Sequence, residues 1–332
     1  MKAAFRDRYG PPDVVEIRDV ERPVPAEGQV LVRVKAASVN RADLDGLKPK
    51  PGFMRLFMGL RAPRSHEVGI DAAGVVEAVG SGVTRFKPGD EVMTDLFAAG
   101  RFGAFAEYVC AREKAFEPIP AGMSFEEAAT LPHSAVLALQ GMRMGNGRAF
   151  KPGDRVLIDG ASGNVGPFAV QIAKAMGAEV TGVASGDKLD FIRSLGADHV
   201  IDYAKVNYTK EGERYDWIVA VDAHHPIRAA RRALKPNGVY LTMGGDTGTI
   251  FAALGGSLLM SRFGDKWSGL MLWWKPMHRP DVETLKELIA AGKLKPVIDR
   301  RYPLSQVVEA LRHVDEGRAK GKVVISMEES WT

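Results

Sequence analysis

The run Gly160-Ala161-Ser162-Gly163-Asn164-Val165-Gly166 is the part of the chain best suited to chemistry. It follows Arg155-Val-Leu-Ile158, an apolar strand-like stretch, and precedes Pro167 to Met176, which has helical spacing. In that frame Gly160 permits a tight turn, Gly163 lets a pyrophosphate approach the backbone, and Gly166 lets the helix lie close to the strand. Amides at the helix start, from Ala161, Ser162, Asn164 and Val165 as well as the glycines, then face the phosphates. Three glycines alone are often only a loop; the strand before and the helix after make a dinucleotide site the expectation. The end of the next strand, Glu179-Val-Thr-Gly-Val183, bears on which dinucleotide, because an acid there binds a ribose hydroxyl and repels a phosphate. Here the chain reads Ala184-Ser185-Gly186-Asp187-Lys188. Ser185 can donate a hydrogen bond and Lys188 supplies a cation, which favours the 2′-phosphate of NADPH; Asp187 works against it, and a plain solvated loop is the alternative.

Metal chemistry is poorly provided for. With Cys110 as the sole cysteine, an internal disulfide and a cysteine-based metal cluster are both excluded, and a reducing, cytoplasmic setting is expected. His66-Glu67 begins like a zinc-protease helix, but position 70 is Ile where the second His is needed.

These residues need elements to hold them. A chain of 332 residues is long enough for two domains. The first third has short β-type runs broken by Gly and Pro, such as Val30 to Val34, Gly74 to Val79, Asp90 to Met93 and Ala106 to Val109, which predict a barrel-like β domain. From Ser124, which opens a capping box with Glu127, the stretch Phe125 to Met142 reads as one long helix and starts a second domain. Strands and helices of about ten residues then alternate to Met243, the pattern of a parallel, doubly wound sheet. Helices at Asp281 to Ala291 and Leu304 to Glu316 and a strand Lys322 to Ile325 complete the chain.

Composition narrows the function classes. An apolar share of 45% and a charged share of 26% are ordinary globular values, and 45 basic against 41 acidic residues is close to balance. Nucleic-acid binding is not expected, since the clusters Arg228 to Arg232 and Arg318 to Lys322 lack aromatics and fall where helices should end. Neither an export signal nor membrane insertion is expected: Met1 to Arg8 is charged, and Arg262, Asp265 and Lys266 interrupt the apolar stretch Ala252 to Trp274.

Several further runs carry a resemblance: Ala37-Ser-Val-Asn40-Arg-Ala-Asp43, Gly69-x-Asp71-x-x-Gly74-Val-Val, Lys87-Pro-Gly-Asp90-Glu-Val, Ala128-Ala-Thr-Leu-Pro132, Leu195-Gly-Ala-Asp198 and Gly317-x-x-x-Gly321-Lys322. With the glycine turn, they make residues 1 to 328 resemble the medium-chain dehydrogenase/reductase superfamily, above all its zinc-independent quinone oxidoreductase (zeta-crystallin-like) branch. The resemblance implies an α/β protein: a chaperonin-10-like β-barrel catalytic domain, residues 1–124 and 285–332, plus a doubly wound Rossmann domain, residues 125–284, that binds NADPH. It implies that Tyr203 joins Ser185 and Lys188 around the 2′-phosphate, that Gly244 and Gly245 turn beside the nicotinamide ribose, and that Lys322 belongs to the cofactor site. Zinc alcohol dehydrogenases of this superfamily have ligands where this chain carries Asn40, Ile70 and His133, and one usable ligand in three closes no metal site.

Without a metal to acidify an alcohol, reduction of a polarised acceptor is the expected direction. Asn40 matches the asparagine that relatives place beside the nicotinamide and can hydrogen-bond a carbonyl or water, unless it only fixes a loop. His133 can donate a proton, unless it is a satisfied core histidine. The loop Lys48 to Pro63, with Phe53, Met54, Leu56, Phe57, Met58 and Leu60, reads either as an apolar rim over the substrate or as a packed helix. The expected activity is NADPH-dependent hydride transfer to a lipophilic quinone, enal or enone; the alternatives are a metal-free carbonyl reductase or alcohol dehydrogenase, and an NADPH-binding protein without turnover. The run Leu270-Met-Leu-Trp-Trp274 would be hazardous as a free sheet edge, which predicts a homodimer.

Overall fold

A computed structural model describes residues 1–49, 52–145, 147–245, 248, 265–271 and 274–327. The chain forms two compact units, one of Met1–Val136, Lys275–Glu283 and the part from Pro296 on, the other of Leu137–Trp274 and Thr284–Lys295. The change of texture at Ser124 therefore falls inside the first unit, which runs twelve residues further to Val136.

The first unit is a β structure. Strands β1 (Lys2–Phe5) and β2 (Glu16–Asp19) pair as a ribbon. The main sheet is built from β3 (Gln29–Val39), β4 (Asp71–Val79), β5 (Glu91–Asp95), β6 (Tyr108–Arg112) and β7 (Phe116–Pro118), with strands from the chain's last part described below. Its core contains Val30, Val32, Val34, Val76, Val92, Phe105 and Phe116, branched and aromatic side chains that pack well on a pleated surface. The second unit carries six parallel strands, β8 (Arg155–Asp159), β9 (Glu179–Ala184), β10 (His199–Asp202), β11 (Tyr215–Ala220), β12 (Leu234–Thr242) and β13 (Trp267–Leu270). Their order is β10-β9-β8-β11-β12-β13. The chain winds outward from β8 in one direction and from β11 in the other, so a crevice opens where the order reverses, at the carboxyl ends of those two strands. Val156, Leu157, Ile158 and Trp217 to Ala220 are fully buried, as strands covered on both faces require. The last two strands, β14 (Ile298–Pro303) and β15 (Lys322–Ser326), belong to the first unit, where β15 pairs antiparallel with β3 and parallel with β14.

Two sequence expectations are revised. The stretch Phe125 to Met142 is not one helix but two, Phe125–Ala129 and Ser134–Arg143. Pro132 is the reason, since it lacks an N–H and disfavours helical geometry in the residue before it. The break places His133 just ahead of the second helix. The edge strand is Trp267–Leu270, upstream of most of the run Leu270 to Trp274, and Leu272 and Trp273 lie outside the described residues. Among the described residues no helix is long and apolar enough to cross a membrane.

Candidate active site and dinucleotide cradle

The glycine turn leaves β8 at the reversal of strand order. Gly160 has φ +88, and a Cβ there would stand 2.9 Å from Asp222 Cβ on the loop after β11. A Cβ at Gly166 would meet the Gly160 carbonyl oxygen at 2.2 Å, so the helix Gly166–Ala175 reaches the turn only because position 166 has no side chain. Gly163 is different, for a Cβ there meets nothing within 4 Å. Ala161, Ser162 and Val165 are buried while Gly163 and Asn164 are partly exposed. Open backbone at the start of a ten-residue helix is a cradle for phosphate, which favours the amides and the positive end of the helix dipole. These residues fit a dinucleotide.

The ends of β9 and β10 bring the next group together. Asp202 pairs with Ala184 across the strands, and the Tyr203 amide donates to the Ala184 carbonyl, so Tyr203 stands beside the loop that carries Ser185 and Lys188. Tyr203 is 60% exposed and Lys188 is buried. The Ser185 hydroxyl donates to Asp187 at 2.7 Å, so the acid that opposed a phosphate in the sequence occupies the serine in the fold. A second acid had escaped notice: Asp202 lies close enough to Gly186 that a Cβ there would meet its carboxylate at 2.7 Å. Gly244 and Gly245 also answer to close approach, with Cβ positions 2.7 Å from the Val221 carbonyl and 2.4 Å from the Ala223 carbonyl. They close the crevice at the carboxyl ends of β11 and β12. Beneath the turn the Tyr208 hydroxyl donates to Asp159 at 3.0 Å, and burial pushes the Asp159 carboxyl up to about 6 against that bond. No motif marks this pair, whose members are 49 positions apart.

In the first unit, Asn40, Asp71, Asp95 and Lys322 gather because antiparallel neighbours put the end of β3, the start of β4, the end of β5 and the start of β15 side by side. Asn40 is almost wholly buried and fully engaged. Its Nδ2 donates to Asp71 at 2.9 Å and to the Ser38 carbonyl at 3.3 Å, and its Oδ1 accepts from Lys322 Nζ at 2.6 Å and Ser134 at 3.1 Å. The expected donor to substrate is thus spent inside the barrel, and Asn40 acts as the hub of a buried network. Lys322 is likewise corrected: it is 1% exposed, bonded to Asn40 and to Ser134 at 3.1 Å, and 3.8 Å from Asp71, so its amine serves this network rather than a cofactor phosphate. Burial drives Lys322 down and Asp71 up, each opposed by the other's charge. Burial also pushes Asp43 up to about 7, and among the described residues one oxygen of each of Asp43 and Asp71 has no hydrogen-bond partner.

His133 stands at the rim of this network. Its Nδ1 lies 3.1 Å from Asp95, which is wholly buried, and its backbone N–H donates to Asp71 at 3.3 Å. Burial works to lower the imidazole, but the bond to Asp95 and the charges of Asp95 and Asp71 outweigh it and hold His133 above its ordinary value. Asp95 is the residue that sequence reasoning missed here. Zinc does not fit the three superfamily ligand positions: Ile70 is a buried alkyl group, Asn40 is committed and His133 faces Asp95.

Comparison with known proteins agrees with both units. Residues 26–121 match the alcohol dehydrogenase GroES-like domain family, and residues 195–325 match the family described as zinc-binding dehydrogenase. The chain is 34% identical to 2-methylene-furan-3-one reductase of Solanum lycopersicum, over 98% of this chain and 79% of that protein. It is 32% identical to the chloroplastic NADPH-dependent alkenal/one oxidoreductase of Arabidopsis thaliana, with the same coverage of each chain, 98% and 79%. A quinone oxidoreductase structure from Coxiella burnetii superposes with a TM-score of 0.86 at 28% identity over 99% of both chains. A GroES-like barrel with a doubly wound sheet and this phosphate turn defines an NAD(P)H-dependent oxidoreductase. The chain belongs to the medium-chain dehydrogenase/reductase superfamily, in its zinc-independent quinone oxidoreductase branch.

Two experiments follow from this geometry. Gly163→Ala should leave the thermal midpoint of the free protein within a degree or two, the position being open, yet weaken NADPH binding about tenfold by fluorescence titration; Gly166→Ala should lower both, since its Cβ strikes the Gly160 carbonyl. Lys322→Met should cost about 3 to 5 kcal/mol in urea unfolding at pH 8, because it strands the Asp71 carboxylate. With Asp71 already raised, the variant should regain stability as the pH falls toward 5 and that carboxyl takes up a proton, and a loss independent of pH would remove the charge from the explanation.

Proposed function

We propose that the protein reduces a quinone, enal or enone with NADPH. The observation that carries this reading is the open Gly163 backbone at the helix start, framed by Gly160 and Gly166 at the reversal of strand order. The amides of residues 160–166 hold the pyrophosphate, Ser185, Lys188 and Tyr203 surround the 2′-phosphate, and Gly244 and Gly245 admit the ribose next to the nicotinamide. When bound, NADPH supplies a hydride. The acceptor class is supported by the reductases of enone-type and quinone substrates that this chain resembles along nearly its whole length.

After hydride transfer an acceptor needs a proton, and His133 is the side chain we assign to give it. Asp95 holds the ring by Nδ1 and keeps it protonated further toward neutrality than a free imidazole. Asn40 contributes by fixing the floor under Asp71, which in turn receives the His133 backbone N–H. Assembly as a homodimer is part of the same proposal. Strand β13 lies at the end of the parallel sheet with β12 on one side, and a second copy would cover its other edge. A cytoplasmic location accords with the lone Cys110.

The acceptor assignment is tested by NADPH oxidation against a panel of quinones, enals, enones and simple aldehydes. Fast turnover with the first three classes is expected, and turnover confined to aldehydes would overturn it. Lys188→Ala should reduce NADPH affinity about tenfold and leave NADH affinity unchanged, the loss of one charged hydrogen bond to phosphate. For His133 the sign is set by its raised value: the active form is the protonated one, so turnover should be level at acid pH and fall as the pH rises through that value. His133→Asn should abolish that falling limb, and Asp95→Asn should move it to lower pH.

A further inference from the structure

The segment 52–64, Gly-Phe-Met-Arg-Leu-Phe-Met-Gly-Leu-Arg-Ala-Pro-Arg, consists of apolar residues, glycine, proline and arginine, with no neutral hydrogen-bonding side chain. Between Asp45 and Glu67 the chain has no acid and five lysines or arginines, Lys48, Lys50, Arg55, Arg61 and Arg64. Leu56, Phe57 and Leu60 are 59%, 67% and 66% exposed. The other large exposed hydrophobics among the described residues, Val24, Phe97, Tyr203 and Val206, occur singly or three residues apart, so the apolar surface is concentrated in this segment.

The display is built rather than loose. A short helix, Arg55–Met58, ends at Gly59, whose φ of +116 and Cβ position 2.0 Å from the Ala62 carbonyl require glycine. Tyr9 Oη donates to the Gly59 carbonyl at 2.8 Å, the Arg55 guanidinium lies 5.0 Å from the centre of the Tyr9 ring, and the Arg64 amide donates to the Met58 carbonyl at 2.8 Å. The turn is therefore pinned to the barrel while its leucines and phenylalanine point into water. Arg61 and Arg64 stand exposed on the same turn, and Lys48 pairs with Asp315 at 2.6 Å.

We infer that this turn docks the protein peripherally on an anionic lipid surface, with Leu56, Phe57 and Leu60 entering the headgroup boundary and Arg55, Arg61 and Arg64 meeting lipid phosphates and carboxylates. The composition is that of an interfacial segment, apolar knobs ringed by cations. With no acid between Asp45 and Glu67, the cations of the segment complement an anionic surface. The inference stands apart from the acceptor assignment, since binding to lipid requires no turnover.

The test is flotation of the purified chain with unilamellar vesicles of phosphatidylcholine alone or mixed with phosphatidylserine. Binding to the mixed vesicles, weakened by added salt, and little binding to phosphatidylcholine are expected. Leu56→Glu with Phe57→Glu should abolish flotation, and Arg61→Ser and Arg64→Ser should each weaken it about fivefold, while circular dichroism and NADPH titration keep these variants comparable with the parent. Failure of the parent chain to float with anionic vesicles overturns the inference, as does flotation that survives the double glutamate variant. If the parent does not float and the same variants raise the KM for a water-soluble enone, the segment is a lid over the acceptor and the lipid assignment falls.

Discussion

No side chain can stand at positions 160 and 166, and the rest of the dinucleotide site depends on that fact. The carbonyl of Gly160 occupies the space a Cβ on Gly166 would take, so strand β8 and the helix Gly166–Ala175 meet at backbone contact distance. That contact aims the helix start, and with it a set of amides, at the place where the strand order reverses. Gly244 and Gly245 repeat the device on the far side of the crevice, where backbone again lies against backbone. The buried strands of the second unit, Val156 to Ile158 and Trp217 to Ala220, support this arrangement.

The first unit solves a different problem, the burial of charge. Asp43, Asp71 and Asp95 share its interior with Lys322 and His133, and each charge would be costly there without partners. Asn40 makes the set tolerable because a carboxamide donates and accepts at once: it gives to Asp71 and takes from Lys322 and Ser134. The result is a fixed floor with His133 at its rim, oriented through Nδ1 by Asp95. A network of this kind specifies geometry more than it adds stability.

The glycine turn was legible because its signal is local: strand, turn and helix lie within some twenty residues, and the reasons for Gly160 and Gly166 are steric. The alternation that follows it gave the parallel sheet for the same reason. The role of Asn40 was not legible, since its partners Ser134 and Lys322 are 94 and 282 positions away and only the meeting of β3, β4 and β15 reveals that its polar atoms are engaged. Asp95 had no motif to mark it, and its importance comes from facing His133 across a fold contact. The single long helix expected over Phe125 to Met142 failed where Pro132 outweighed an otherwise helical pattern. Strand β14 was missed because its exposed Arg300 and Arg301 hide a half-buried strand's alternation.

The central claim, that the cradle in the second unit serves direct hydride delivery, is tested most directly with NADPH deuterated at the nicotinamide C4 and an enone acceptor. Mass spectrometry of the product should find one deuterium on carbon, at the electron-poor position that accepts hydride. A reduced product without deuterium, from NADPH labelled on either face of the ring, would contradict the account.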